Sequence, residues 1–188
     1  GLANYLRNTM CPNIVFVLPS VEISGGVNVV IKHCHILQKA GYDVTVFSMA
    51  NDEGLIKMAE GSINVLATRN VFLQATIDKA VATLWSTVEY ILSYFKIKER
   101  YYLVQNFETD FYEFGHPFRI AANQTYTFPV QMKYVTISMW CQDWLNMQFG
   151  ILAPYAQNGI DLACFPVTSR DYSGKIRILI EGNSLDYY

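Results

Sequence analysis

Charge is scarce in this chain: 16% of its 188 residues are Asp, Glu, Lys or Arg, and the formal net charge is -2. Neutralising a phosphate backbone takes clustered Lys and Arg, so this balance argues against a nucleic-acid partner. Cysteine is scarce too. Cys11, Cys34, Cys141 and Cys164 lie far apart, with no C-x-x-C pair and no spacing of a zinc site or secreted disulfide framework, which fits a reducing, cytoplasmic compartment. Long apolar runs are missing, so no segment approaches the roughly 20 residues that cross a bilayer. No internal repeat, low-complexity tract or signal peptide is visible, and the chain opens on Gly1 instead of Met, which reads as a chain whose outer context is missing. What is plentiful is apolar: 52% of residues are hydrophobic, with 13 Tyr, 11 Phe and 3 Trp. That is enough to bury the core of one ordinary globular domain.

The apolar residues are ordered in alternating patterns. Pro12 and Asn13 precede Ile14-Val15-Phe16-Val17-Leu18, a continuous run of the kind expected for a strand buried on both faces of a parallel sheet. Pro19 ends it, and after Ser24, Gly25 and Gly26 the apolar residues recur at Val27, Val30, Ile31, Cys34 and Leu37. That is helical spacing, stopped by Gly41. A second strand follows at Asp43 to Ser48, then strands at Ser62 to Ala67, Tyr101 to Gln105 and Tyr134 to Ser138. Ile77, Val81, Leu84, Val88, Ile91, Leu92 and Phe95 predict one long helix. Trp140 to Phe149 predicts another, and Ala153 to Gln157 a short strand. The alternation predicts an α/β fold, Rossmann-like and doubly wound around a mainly parallel sheet. Near the end, Asn158 to Gly174 reads as a linker between a domain at 1–157 and a segment at 175–188, where Lys175 to Ile180 predicts a new strand.

The glycine turn is the first candidate for chemistry, because helix N-termini after parallel strands present backbone amides to phosphates. By itself Gly25-Gly26 is read equally well as a tight turn. A dinucleotide site fits poorly: G-x-G-x-x-G is absent, and the second strand ends in Phe47-Ser48-Met49 without an acidic ribose ligand. His33 and His35 flank Cys34, but at helical spacing their rings point roughly 160 degrees apart and cannot share one metal ion. Glu108 and Asp110 sit just past a strand's carboxyl end among Phe107, Phe111, Tyr112 and Phe114, where a carboxylate could hold a hydroxyl or act as a base. The alternative for both is a solvated loop with aromatic anchors. His116, before Pro117, reads first as a turn residue. Trp140, Trp144 and Phe149 favour packing over stacking against a ligand. Lys96, Lys98 and Arg100 are too few to require a membrane surface, though they leave peripheral contact open.

Read together, the two ends become specific. Pro19-Ser20-Val21-Glu22-Ile23-Ser24-Gly25-Gly26-Val27-Asn28, and the helix closing on Lys39-Ala40-Gly41-Tyr42-Asp43-Val44-Thr45-Val46, resemble the opening of GT-B glycosyltransferases of the large retaining, sucrose-synthase-like family. Tyr42 stands where that family commonly has His. Asn158-Gly159-Ile160-Asp161-Leu162-Ala163-Cys164-Phe165 resembles the same family's interdomain linker, with Asn158, Gly159, Asp161 and Phe165 at its marked positions. Tyr102-Leu103-Val104-Gln105-Asn106-Phe107-Glu108 is similar to a stretch of bacterial rhamnosyltransferases of surface-polysaccharide synthesis, with Asn106 and Phe107 in place of Asp and Tyr.

The resemblance implies the N-terminal, acceptor-side half of a two-domain enzyme that moves a sugar, plausibly rhamnose, from a nucleoside-diphosphate-sugar to a glycan acceptor. Ser24, Gly25 and Gly26 would face the donor diphosphate. Gln105, Asn106, Phe107, Tyr112 and His116 would lie on the acceptor side, with Glu108 and Asp110 as candidate catalytic carboxylates. Neither a metal nor a cofactor besides the donor is expected, and the half alone is expected to be inactive. The setting implied is the cytoplasm, up to the inner face of the membrane. A noncatalytic carbohydrate-binding module and half of a sugar-nucleotide epimerase are the alternatives.

Overall fold

The computed structural model describes residues 13–58, 61–71, 76–94, 96–169 and 173–180, so Cys11, Pro12 and Phe95 lie outside the described residues. The chain divides into two compact units, Gly1–Asn158 and Gly159–Tyr188.

The first unit holds the sheet. Its strands are β1 (Asn13–Leu18), β2 (Asp43–Ser48), β3 (Gly54–Met58), β4 (Gly61–Ala67), β5 (Ile77–Ala82), β6 (Ile97–Val104) and β7 (Lys133–Thr136), in the order β3-β4-β2-β1-β5-β6-β7. All neighbours are parallel except β3 and β4. The helices are α1 (Gly25–Lys39), α2 (Thr68–Val71), α3 (Trp85–Ser93), α4 (Pro117–Gln124) and α5 (Met139–Phe149), with a 3-10 turn at Glu108–Phe111.

Alternation along β1 explains the layering. Ile14, Phe16 and Leu18 join Val30, Ile31 and Cys34 of α1 on one face. Val15 and Val17 join Val88 and Ile91 of α3 and Leu145 of α5 on the other. A strand whose side chains are buried on both faces is apolar throughout, which is why Ile14 to Leu18 reads as an unbroken run. The fold is therefore α/β, Rossmann-like and doubly wound. The chain leaves β1 toward β2 and β4, then returns to place β5 on the opposite side of β1. That reversal is the topological switch point, where the ends of β1 and β5 diverge.

The long helix expected over 77–95 is instead a strand and a shorter helix. Apolar residues at 77, 81, 84 and 88 fit the helical period, and sheet pairing overrides it: β5 is hydrogen-bonded to β1 on one side and β6 on the other. Thr83 fixes the break, its hydroxyl donating to Val17 O at 2.8 Å and its N–H to Thr87 Oγ1 at 3.0 Å. The sequence reading also misses β3, α2 and α4. Residues 153–157 form a single bridge between Thr136 and Tyr155, not a strand. Gly150, at φ 67°, ends α5 in the left-handed region that favours glycine.

In the second unit Asp161 organises a turn: its carbonyl accepts from Cys164 N–H and Phe165 N–H, and its Oδ1 accepts from Ala163 N–H at 2.9 Å. The strand expected at Lys175 to Ile180 is not formed, and Ile176, Ile178, Leu179 and Ile180 are exposed. β-branched residues favour a strand only when a neighbouring strand takes their backbone hydrogen bonds.

Candidate functional site

A cavity of about 610 Å3 opens at the carboxyl ends of the central strands. Leu18 ends β1 and Pro19 follows it, Thr83 and Leu84 follow β5, Gln105 and Asn106 follow β6, and Ile137 follows β7; Glu108, Phe111, Asn158 and the start of α1 complete the lining. Parallel strands all end on the same side, so residues remote in sequence converge here.

The α1 side is formed by Ser24, the bare backbone of Gly25 and Gly26, and Val27, Val29 and Val30. Ser24 is extended, and its hydroxyl accepts from Val27 N–H at 3.2 Å, satisfying one donor of the first turn. The approach to it is pinned by Asp52, which accepts from Val21 N–H and from the Ser48 hydroxyl. A Cβ placed on Gly25 would meet nothing within 4 Å, and one on Gly26 would come 3.6 Å from the Gln105 amide nitrogen. The lining residues include no Lys or Arg. Attraction for an anion would come from the N–H groups at the start of α1.

The opposite side is built around Glu108, 1% exposed. Its Oε2 accepts from Trp85 N–H, the first residue of α3, and from the Tyr102 hydroxyl, each at 2.6 Å. Its own N–H donates to the Tyr126 hydroxyl at 3.0 Å. Burial pushes the carboxyl up from 4.5 to about 7, against the two donors that pull it down. Burial likewise raises Tyr102 well above its ordinary value, with the Glu108 charge adding to the effect.

The residues singled out in the sequence divide accordingly. Ser24, Gly25, Gly26, Gln105, Asn106, Glu108 and Asn158 meet in the cavity. Phe107 does not line it: the ring packs between Tyr126 and Trp144, 4.9 Å from the latter, because the 3-10 turn directs it into the core. Asp110 is largely exposed and pairs with Arg119 at 2.9 Å. Tyr112 and His116 stack at 5.2 Å beside α3 and α4, and His116 Nδ1 caps α4 by accepting from Phe118 N–H. Gly159, Asp161 and Phe165 belong to the second unit. His35 is buried with its Nε2 2.9 Å from Met58 Sδ, and burial holds His33 below its ordinary pKa.

Sequence reasoning passed over the Thr83-Leu84-Trp85 turn. One signal was available, because Thr87 sits three residues into the helix, where its hydroxyl accepts from Leu84 N–H and closes a cap.

No protein-family model matches the chain, and no curated protein matches it. Among solved structures it is similar to aspartate semialdehyde dehydrogenase II of Vibrio cholerae, complexed with ASA, at 7% identity and a TM-score of 0.39, over 73% of this chain and 44% of that one. The chain thus spans less than half the length of that enzyme. A likeness so slight carries no argument about activity. Among the described residues, no helix is long and apolar enough to cross a membrane.

Proposed function

We propose that this chain is the acceptor-side, Rossmann-like domain of a retaining GT-B glycosyltransferase that moves a sugar, rhamnose in the reading favoured here, from a nucleoside-diphosphate-sugar to a glycan of the cell surface. The work is placed in the cytoplasm, up to the inner face of the membrane. One observation carries this reading: the glycine turn and Asn158, which belong to the two resembling motifs, line one cavity with Gln105, Asn106 and Glu108.

In the proposed reaction, the bond between the donor's anomeric carbon and its phosphate oxygen breaks, and the electron pair leaves with the nucleoside diphosphate. An acceptor hydroxyl oxygen bonds to the same carbon with retention, and its proton leaves to a base or to the departing phosphate. The N–H groups at the start of α1 stabilise charge gathering on that phosphate, which is the strongest kind of help a fixed dipole gives a transition state. Gln105 and Asn106 supply amides for sugar hydroxyls. Glu108 acts as a positioning residue, fixing the β6 loop to the start of α3, because both donors it accepts come from the protein itself.

The test is to express the whole reading frame that contains this chain and to incubate it with labelled nucleoside-diphosphate-sugars and neutral glycans. Release of nucleoside diphosphate with a matching mass gain on a glycan is expected. Failure of every donor to react, in protein that is folded, removes the transferase reading.

A further inference from the structure

A second groove, of about 760 Å3, lies beside α3 and α4 and outside the cavity described above. We propose that it is a carbohydrate subsite that holds the body of a neutral glycan. The proposal deepens the transferase reading, on which its role in acceptor binding rests, but sugar binding in the groove stands or falls separately.

The lining combines two chemistries. Trp85, Phe118 and Phe128 supply aromatic surface, while Ser86, Glu89 and Gln124 supply a hydroxyl, a carboxylate and an amide. Sugar rings pair the same two features, with C–H faces that lie on aromatic surface and hydroxyls that need donors and acceptors. The lining contains no Lys or Arg and has Glu89 as its acidic residue, so an anionic ligand would meet repulsion without compensation. A hydrocarbon chain is disfavoured as well, because it would strip water from the Glu89 carboxylate and the Gln124 amide without replacing their hydrogen bonds.

The aromatic platform is fixed before any ligand arrives. Trp85 Nε1 donates to the Tyr112 hydroxyl at 2.9 Å, and its backbone N–H is held by Glu108. The Trp85 ring meets Tyr112 edge-on at 5.8 Å and Phe118 at 5.4 Å. Phe118 remains 51% exposed at the rim. A ring held on several sides loses little freedom on binding, which is how a shallow site gains affinity. Position ties the groove to the cavity: Leu84 lines the cavity and Trp85, the next residue, lines the groove. A glycan that crosses this turn can keep its reactive end in the cavity and its body on the platform.

The experiment is an NMR titration of this chain with neutral hexasaccharides of rhamnose, glucose, mannose or galactose, with the corresponding monosaccharides, and with laurate. At least one hexasaccharide is expected to shift the Trp85 indole N–H and the Gln124 side-chain amide saturably, about tenfold more tightly than its monosaccharide. Phe118→Ala and Gln124→Ala, both at exposed positions, are expected to weaken this binding about fivefold or more while leaving the remaining spectrum in place. The proposal is overturned if no hexasaccharide gives saturable shifts up to about 10 mM, if laurate alone shifts the groove resonances, or if both variants bind as wild type. Shifts confined to the Gln105 and Asn106 amides would also sink the groove yet leave the transferase reading intact. Groove binding in a full-length protein that transfers no sugar would do the reverse.

Discussion

Two helices start at the same cavity, and the protein treats their N-termini in opposite ways. At α3 it supplies its own acceptor: the Glu108 carboxyl accepts from Trp85 N–H, and Thr87 closes the turn from behind. At α1 a single hydroxyl, Ser24, caps the turn, and two glycines leave the backbone bare. Both ends carry the partial positive charge of aligned peptide dipoles. One is filled from within, and the other faces the cavity. At the filled end burial outweighs the two donors and disfavours the charged carboxylate, whereas the α1 amides border an open cavity where an anion would keep more of its water.

Breaking the filled end has the largest expected effect. Glu108→Ala leaves Trp85 N–H and the Tyr102 hydroxyl without their acceptor inside the fold, at roughly 1–3 kcal/mol each. A loss of about 4 kcal/mol is expected in urea unfolding. An unchanged midpoint would show that α3 does not depend on this carboxylate.

The next effect is a pH dependence with a definite sign. Burial holds the Glu108 carboxyl at about 7 in the folded chain, against 4.5 for an ordinary glutamate, so the folded state binds the proton more tightly than the unfolded one. The stability this contributes is complete below 4.5 and is lost as pH rises through about 7, for at most about 3 kcal/mol. Wild type should therefore lose stability between about pH 5 and pH 8, and Glu108→Gln should flatten that slope. A parallel slope in the variant would assign the titration to another group.

The far end of α3 is also tied from outside. Arg100 donates through Nε to Ile91 O at 2.6 Å and through Nη2 to Tyr94 O at 2.8 Å, meeting carbonyls of the helix's last turn. Arg100→Ala is expected to cost about 2 kcal/mol in the same unfolding experiment. Ser24→Ala, which uncaps the open end, should cost about 1 kcal/mol. If Ser24→Ala proved the costlier of the two, α1 would be the more dependent on its cap, and the contrast between the helices would reverse.

How far the sequence discloses this arrangement depends on the range of the interactions concerned. The glycine turn and the apolar residues of β1 and β2 are local, so they can be read directly. Glu108 can be seen as a carboxylate after a strand, but not as a buried one, because its partners Trp85 and Tyr126 are brought to it by folding. The same reason hides β5. Ile77 to Ala82 becomes a strand because β1 and β6 flank it, and nothing in its own spacing excludes a helix. β3 and α4 escape notice because they are short and mostly exposed, so burial imprints little period on them. Phe107 misleads for a related reason: an aromatic residue after a strand suits a binding loop and a core equally well.

The smallest expected effect on stability tests the open end most sharply. A Cβ on Gly25 meets nothing within 4 Å, and one on Gly26 makes an ordinary contact with Gln105. Neither glycine has a positive φ, so alanine fits both backbones. Gly25→Ala should raise stability by about 0.5 kcal/mol, because alanine restricts the unfolded chain and favours the helix. If the proposed transferase reading holds, the same methyl would stand between the α1 amides and the donor phosphate. Gly25→Val, with a larger side chain in that space, should cut transfer further while leaving the fold intact. A variant that is slightly more stable and yet slower would show that these glycines keep the helix end open for a ligand. Unchanged turnover in both variants would remove Gly25 from the site and leave the glycine pair as a turn.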